Sequence, residues 1–210
     1  MDAVNIASLY WADGGVTIGI VKQRLKQALS QRQKRHITDA RRVQSAVLIP
    51  IYQKQGQYHI LFIQRTDRVK DHKGQISFPG GAYEEQDGTL VNTASREAAE
   101  EIGLRTGDIE ILGELDDILT IGTNYIISPF VAIIPWPYEF EVDRWETEEI
   151  IEVPISALLD EGCVRQGTDI LEGRVVNTYF YHYHGRVIWG ATARILNQLL
   201  DIVGRIMKEK

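Results

Sequence analysis

The sequence predicts a mixed α/β fold in which helices cover a mixed β-sheet, and three observations lead there. β-rich runs recur in pairs around short Gly-containing turns, first SAVLIPIY and YHILFIQR about QKQGQ, later RVVNTYFYHYHGRVIW. Segments with apolar residues at spacings of three and four, TLVNTASREAAEEI and ARILNQLLDIVGRIM, lie between and after them. Helices interleaved with mostly hairpin-connected strands imply a mixed sheet with helices packed upon it.

Taken in order, IGIVKQRLKQALSQRQKR places Ile18, Val21, Leu25 and Leu29 on one side of an amphipathic helix with a basic outer face, an N-terminal extension over residues 1–36. The hairpin follows, and Pro50 in its first strand suggests a bulge or an edge position. A charged loop, TDRVKDHKG, leads through QISF to a Gly-Gly turn, after which TLVNTASREAAEEI reads as a helix closed by Gly103. Strands at DIEILGEL, YIISPFVAII and EIIEVP, a short helix at ISALLDE, the second hairpin and the final helix complete one domain over residues 37–210.

Composition narrows the function. The 210 residues, 44% hydrophobic and 25% charged, suffice for a substantial core. A net charge of −6 gives no general basic field for DNA or RNA, although local Arg and Lys residues still suit a small anion. The lone Cys163 excludes an internal disulfide, and the start MDAVNIASLYWADGG lacks the basic and apolar regions of a signal peptide, so a reducing cytoplasm is expected. YIISPFVAIIPWPY is too short and too interrupted by proline to span a membrane.

The helix at TLVNTASREAAEEI carries the chemistry. At about 100° per residue, Leu90, Ala94, Ala98 and Ile102 form an apolar stripe, and Glu97, Glu100 and Glu101 share an arc beside it. A charge run is ordinarily a solvated face. Here, however, like charges at positions 97 and 101 repel across one turn, and acids near a helix C-terminus oppose its dipole. A bound cation reverses that sign, and clustered carboxylates suit hard ions such as Mg²⁺ or Mn²⁺ that also engage substrate phosphates. Gly80 and Gly81, lacking a Cβ, allow a backbone carbonyl or N–H to approach such a site closely.

This combination resembles the Nudix box. Arg96, Glu97, Ala98, Glu100, Glu101, Gly103 and Leu104 match its second half in register. Its first half departs, with Asp87 where Glu is usual and eight residues rather than seven before Arg96. The resemblance implies an α/β/α sandwich with a mixed sheet. It also implies Glu97, Glu101 and the Gly80 carbonyl as metal ligands, Glu100 as a further ligand or water-orienting group, and Arg96 as the residue that orients the carboxylates. Upstream, QRTDRVKDHKGQISFPGG resembles the coenzyme A pyrophosphatase branch at Gln64, Arg65, Thr66, His72, Gly74, Gln75, Phe78, Pro79, Gly80 and Gly81. Further similarity in LDDILT, EVPISALLD and IWGATARIL extends it over residues 43–203.

Metal-dependent hydrolysis of coenzyme A to 4′-phosphopantetheine and adenosine 3′,5′-bisphosphate is therefore expected. Arg65, His72, Gln75, Phe78 and Gly81 are the candidate substrate contacts. Glu100 is the first choice of general base and Glu149 the second. The alternatives are hydrolysis of ADP-ribose or another nucleoside diphosphate derivative, or a catalytically silent nucleotide sensor. The partner is a small nucleotide, with a homodimer admissible and neither nucleic acid nor membrane expected. Arg68, Lys70 and Lys73 are further phosphate candidates, and Asp116 and Asp117 are candidates for the cleft lining, with a simple turn at the strand end as the alternative. His182 and His184 would share one face of a strand, although ordinary strand histidines are the simpler reading.

Overall fold

A computed structural model describes residues 16–68 and 72–208. Its main sheet runs β3 (Ile76–Ser77), β2 (Gln57–Arg65), β1 (Val43–Lys54), β7 (Tyr125–Ile133), β5 (Glu110–Glu114). Three more strands join this row: β4 (Gly80–Ala82) on β1, β6 (Ile118–Leu119) on β7 and β8 (Thr147–Pro154) on β2. β1 and β7 are parallel, whereas β2, β4, β5 and β8 pair antiparallel with their neighbours, so the sheet is mixed as expected. A separate three-stranded sheet orders β9 (Val164–Leu171), β10 (Arg174–Tyr183) and β11 (Arg186–Ile188) with β10 in the middle.

Alternation along the strands splits the core into two layers. Ile49, Ile51, Ile60 and Phe62 face a cluster shared with α1 (Val16–Gln31) and α4 (Gly190–Lys208). Ala46, Leu48, Leu61 and Ile63 face the opposite cluster, built with Ala94, Ala98 and Ile102 of α2 (Leu90–Ile102). β1 is therefore buried on both sides, which is why its sequence reads as a continuous apolar run. The short α3 (Ile155–Leu158) follows β8 directly.

The expected N-terminal helix forms and enters this core. Leu25 and Leu29 are buried, and Gly113 of β5 lies so close that an added Cβ would meet the Leu29 Cβ at 2.7 Å. The side chain of Ile18 lies outside the described residues. Pro50 occupies a central strand, not an edge or a bulge. The β2 ladder covers Ile51 to Lys54 and the β4 ladder Ser45 to Val47, so the missing N–H falls between two partners on that edge of β1. β9 was not expected as a strand. Its sequence VRQGTDIL is largely polar and exposed, and only its register against β10 defines it.

Candidate active site

Two backbone devices bring the box together. Thr89 caps α2 by accepting the Asn92 N–H at 3.3 Å, and Gly103 ends it in the left-handed conformation with its N–H on the Ala99 carbonyl at 3.0 Å. Across from this helix, β4 packs on β1 so tightly that a Cβ on Gly80 would lie 2.3 Å from the Ala46 carbonyl oxygen. Glycine is the residue that fits there.

The Gly-Gly turn and the helix acids meet. Glu101 is buried at 3% exposure, and its Oε2 accepts the Gly80 N–H at 3.0 Å. A Cβ on Gly81 would stand 2.3 Å from Glu97 Oε1, so the Glu97 carboxylate occupies the space a side chain would fill. Arg65 reaches from the end of β2, its Nη1 donating to Glu101 Oε1 at 3.3 Å, while its buried Nε has no partner. Burial pushes the Glu101 carboxyl up to about 8 and raises that of Glu97, against the pull of Arg65 on the first and Arg96 on the second. Glu100 points outward, with its side chain 59% exposed.

Arg96 organises these acids. Its guanidinium donates to Glu97 Oε1 and Glu100 Oε2, each at 2.9 Å, to Asp87 Oδ1 at 2.8 Å and to the Ala82 carbonyl at 3.1 Å. Asp87 keeps an anchoring role despite the altered spacing: it is buried, and it accepts the Thr93 hydroxyl at 2.8 Å and the Glu84 N–H at 3.0 Å. The Arg96 guanidinium holds its carboxyl well below the usual range. Asp87 ends the 3₁₀ turn Glu85–Asp87, and Gly88, with φ +69°, turns the chain toward the Thr89 cap of α2.

Whether this arrangement suits a divalent cation is decided by its donors. All are hard oxygens, and two of the acids converge on a turn without side chains, which fits Mg²⁺ or Mn²⁺. Among the described residues no three acidic, His or Cys side chains already converge as a finished cage. The carboxylates are instead drawn to Arg96 and Arg65, with the Gly80 N–H also on Glu101.

Several expected site residues lie elsewhere. Phe78 is buried at 2% and stacks on Phe62 with ring centroids 4.8 Å apart, so its side chain belongs to the core and not to a ligand surface. Glu149, the second choice of base, is held by Arg186 Nη2 at 2.8 Å. Glu146, from the same run, lies beside the box acids instead. It faces Arg65 Nη2 at 3.8 Å and lies near enough to Glu97 and Glu101 to disfavour their ionisation. The run WETEEII offers Glu146, Glu148 and Glu149 alike; in the β2–β8 ladder Glu149 pairs with Gln64 and Thr147 with Arg65 across a register shift, which leaves Glu146 next to Arg65.

His72 and Gln75 pair with each other through Nδ1 and Oε1 at 2.9 Å on the exposed loop before β3. Asp116 and Asp117 tie down the segment after α1. Asp116 Oδ1 accepts Arg32 Nη2 at 2.6 Å, and the buried Asp117 meets Lys34 Nζ at 3.0 Å and the Ile37 N–H at 2.9 Å. His184 occupies the turn after β10 with φ at +48°, so it does not share a strand face with His182. Arg68 sits over the Trp145 ring at 5.9 Å, and Lys70 lies outside the described residues.

Known proteins share both sequence and fold. A family model described as the NUDIX domain matches residues 42–167. An uncharacterized Nudix hydrolase NudL of Photorhabdus laumondii is 33% identical over 159 residues, covering 76% of this chain and 84% of that one. Its counterpart in Klebsiella pneumoniae is 33% identical over 184 residues, 85% of this chain and 91% of that one. The crystal structure of a MutT/nudix family protein from Enterococcus faecalis has the same fold, with a TM-score of 0.55, 12% identity and coverage of 100% of this chain and 77% of that one. With these matches laid over the paired acids and the Gly-Gly turn, the chain belongs to the Nudix hydrolases, enzymes of nucleoside diphosphate derivatives that generally use divalent ions such as Mg²⁺ or Mn²⁺.

Proposed function

We propose that the chain hydrolyses the diphosphate of coenzyme A or its derivatives, giving 4′-phosphopantetheine and adenosine 3′,5′-bisphosphate. The observation that carries the chemical part is the convergence of a buried Glu101 and of Glu97 on the Gly80–Gly81 turn. Glu97, Glu101 and the Gly80 carbonyl would hold the cation, with Glu100 at the rim as a further ligand or water-orienting group. A bound Mg²⁺ or Mn²⁺ would neutralise the diphosphate, acidify a water and stabilise charge on the leaving phosphate.

The chain's own residues do the rest. Arg96 fixes Glu97 and Glu100 in place through bonds at 2.9 Å. Arg65, with an unpartnered Nε, supplies a donor to the diphosphate oxygens. Glu146 accepts the proton of the attacking water, because it stands beside Glu97 and Glu101 whereas Glu149 is bonded to Arg186 and Glu100 to Arg96. Water attacks phosphorus directly, and no phosphoenzyme forms.

Preference for coenzyme A rests on the resemblance of residues 64–81 to that branch. A site that pairs the 3′-phosphate gains charge-assisted hydrogen bonds worth about 1.5–3 kcal/mol each. We expect kcat/KM for coenzyme A to exceed that for 3′-dephospho-coenzyme A and ADP-ribose by at least about tenfold, with products identified by mass spectrometry. Efficient cleavage of ADP-ribose without cleavage of coenzyme A would overturn the substrate and leave the diphosphatase chemistry in place.

A further inference from the structure

β9 is the outer strand of its sheet: β10 covers one edge, and among the described residues no strand covers the other. An exposed edge of unpaired N–H and C=O groups is a template for another strand. Arg165, Gln166, Thr168, Asp169 and Ile170 are all exposed along it. The register decides which backbone groups are available. Leu171 and Arg174 close a two-residue turn and so form a hydrogen-bonded pair. Counting back, Asp169, Gly167 and Arg165 direct their backbone groups to β10, while Val164, Gln166, Thr168 and Ile170 direct theirs outward.

This edge is complementary to itself. When two copies are set antiparallel with Gly167 opposite Gly167, Arg165 faces the partner's Asp169, Gln166 faces the partner's Thr168, and Val164 faces the partner's Ile170. The hydrogen-bond parity agrees, because the outward-directed residues meet one another and exchange bonds. Arg165 and Asp169 then fall at non-hydrogen-bonded positions, where opposing side chains approach most closely. A shift of one residue sets outward groups against inward ones. A shift of two leaves Arg165 or Asp169 opposite Gly167 and removes the charge pairs.

Neither charge has another ionic partner among the described residues. They cannot pair within one chain, since four residues of strand separate them by roughly 13 Å. The Asp169 carboxylate instead accepts the outward N–H of its neighbour Ile170 at 2.7 Å. Pairing would release that N–H to the partner's Val164 carbonyl and turn Asp169 to the partner's Arg165. Ile170 and Val175, cross-strand neighbours at 67% and 72% exposure, are an apolar pair that lacks cover in the single chain. The partner's Val164 is placed beside Ile170 in this register.

We infer that the chain forms a two-fold homodimer by pairing β9 with β9, Gly167 on the axis, joining the two small sheets into one. The contact is isologous and closed, so it ends at two copies. The inference stands apart from the assignment of substrate.

Charge reversal tests it. Sedimentation velocity from low to high micromolar concentration should give the dimer mass for the wild type. Arg165→Asp sets like charges across the axis, as does Asp169→Arg, so each should weaken association by at least about tenfold while leaving the thermal melt and turnover unchanged. An equimolar mixture of the two variants should regain the dimer mass, because each Asp then opposes an Arg. A wild type that stays monomeric throughout would overturn the proposal. So would single variants that dimerise as the wild type does, or a mixture that stays monomeric after both variants alone have lost the dimer.

Discussion

Glu101 carries opposing demands: it is buried beside the Glu97 carboxylate, and Arg65 and the Gly80 N–H compensate it only in part. Burial raises its carboxyl from 4.5 to about 8. A folded-state value above the unfolded one gives stability that is present below the unfolded value and lost as pH rises through the folded one. In chelator, the melting temperature should therefore fall from pH 5 to pH 8.5, and Glu101→Gln should flatten much of that fall. Added Mn²⁺ should restore the wild type at the upper end, since a ligand stabilises the state that binds it. A wild-type profile that matches the Gln variant would show that Glu101 is not the strained group. Residue types and spacing made this acid legible in the sequence, together with Glu97, Glu100 and Arg96. Glu146 was not legible, because its place follows from how the start of β8 registers against the end of β2, nor was the burial of Phe78, which depends on Phe62 across the β2–β3 pair.

At the scale of elements, periodicity sufficed wherever one face is apolar. α2 and α4 follow from spacings of three and four, and β1 and β7 from continuous apolar runs that only a doubly covered sheet can bury. β9 escaped because it has no apolar face, so nothing in its own residues distinguishes it from a loop. The α1 helix was readable as a helix, but its depth was not. Leu29 sits against Gly113, and Lys34 just beyond it neutralises the buried Asp117. Leu29→Ala should lower the unfolding free energy by about 2–4 kcal/mol, measured by urea denaturation, with the metal requirement of turnover unchanged. A loss below about 0.5 kcal/mol would mean that α1 merely rests on the domain surface.

The whole molecule is a mixed sheet clasped between α2 on one side and α1 with α4 on the other, with the acids of α2 brought to the β1–β4 turn. Sheet packing fixes where Gly80 and Gly81 stand, and the helix caps fix the phase of α2, so the site's geometry is a property of the fold and not of one loop. No helix among the described residues is long and apolar enough to cross a membrane. The central claim is that these acids form a catalytic cation site, and turnover of coenzyme A by Glu101→Gln in saturating Mg²⁺ tests it most directly. The substitution keeps size and removes charge, so kcat/KM should fall at least about a hundredfold, or about 2.7 kcal/mol of transition-state stabilisation, with the fold intact by circular dichroism. Undiminished turnover in a folded Glu101→Gln protein would contradict it.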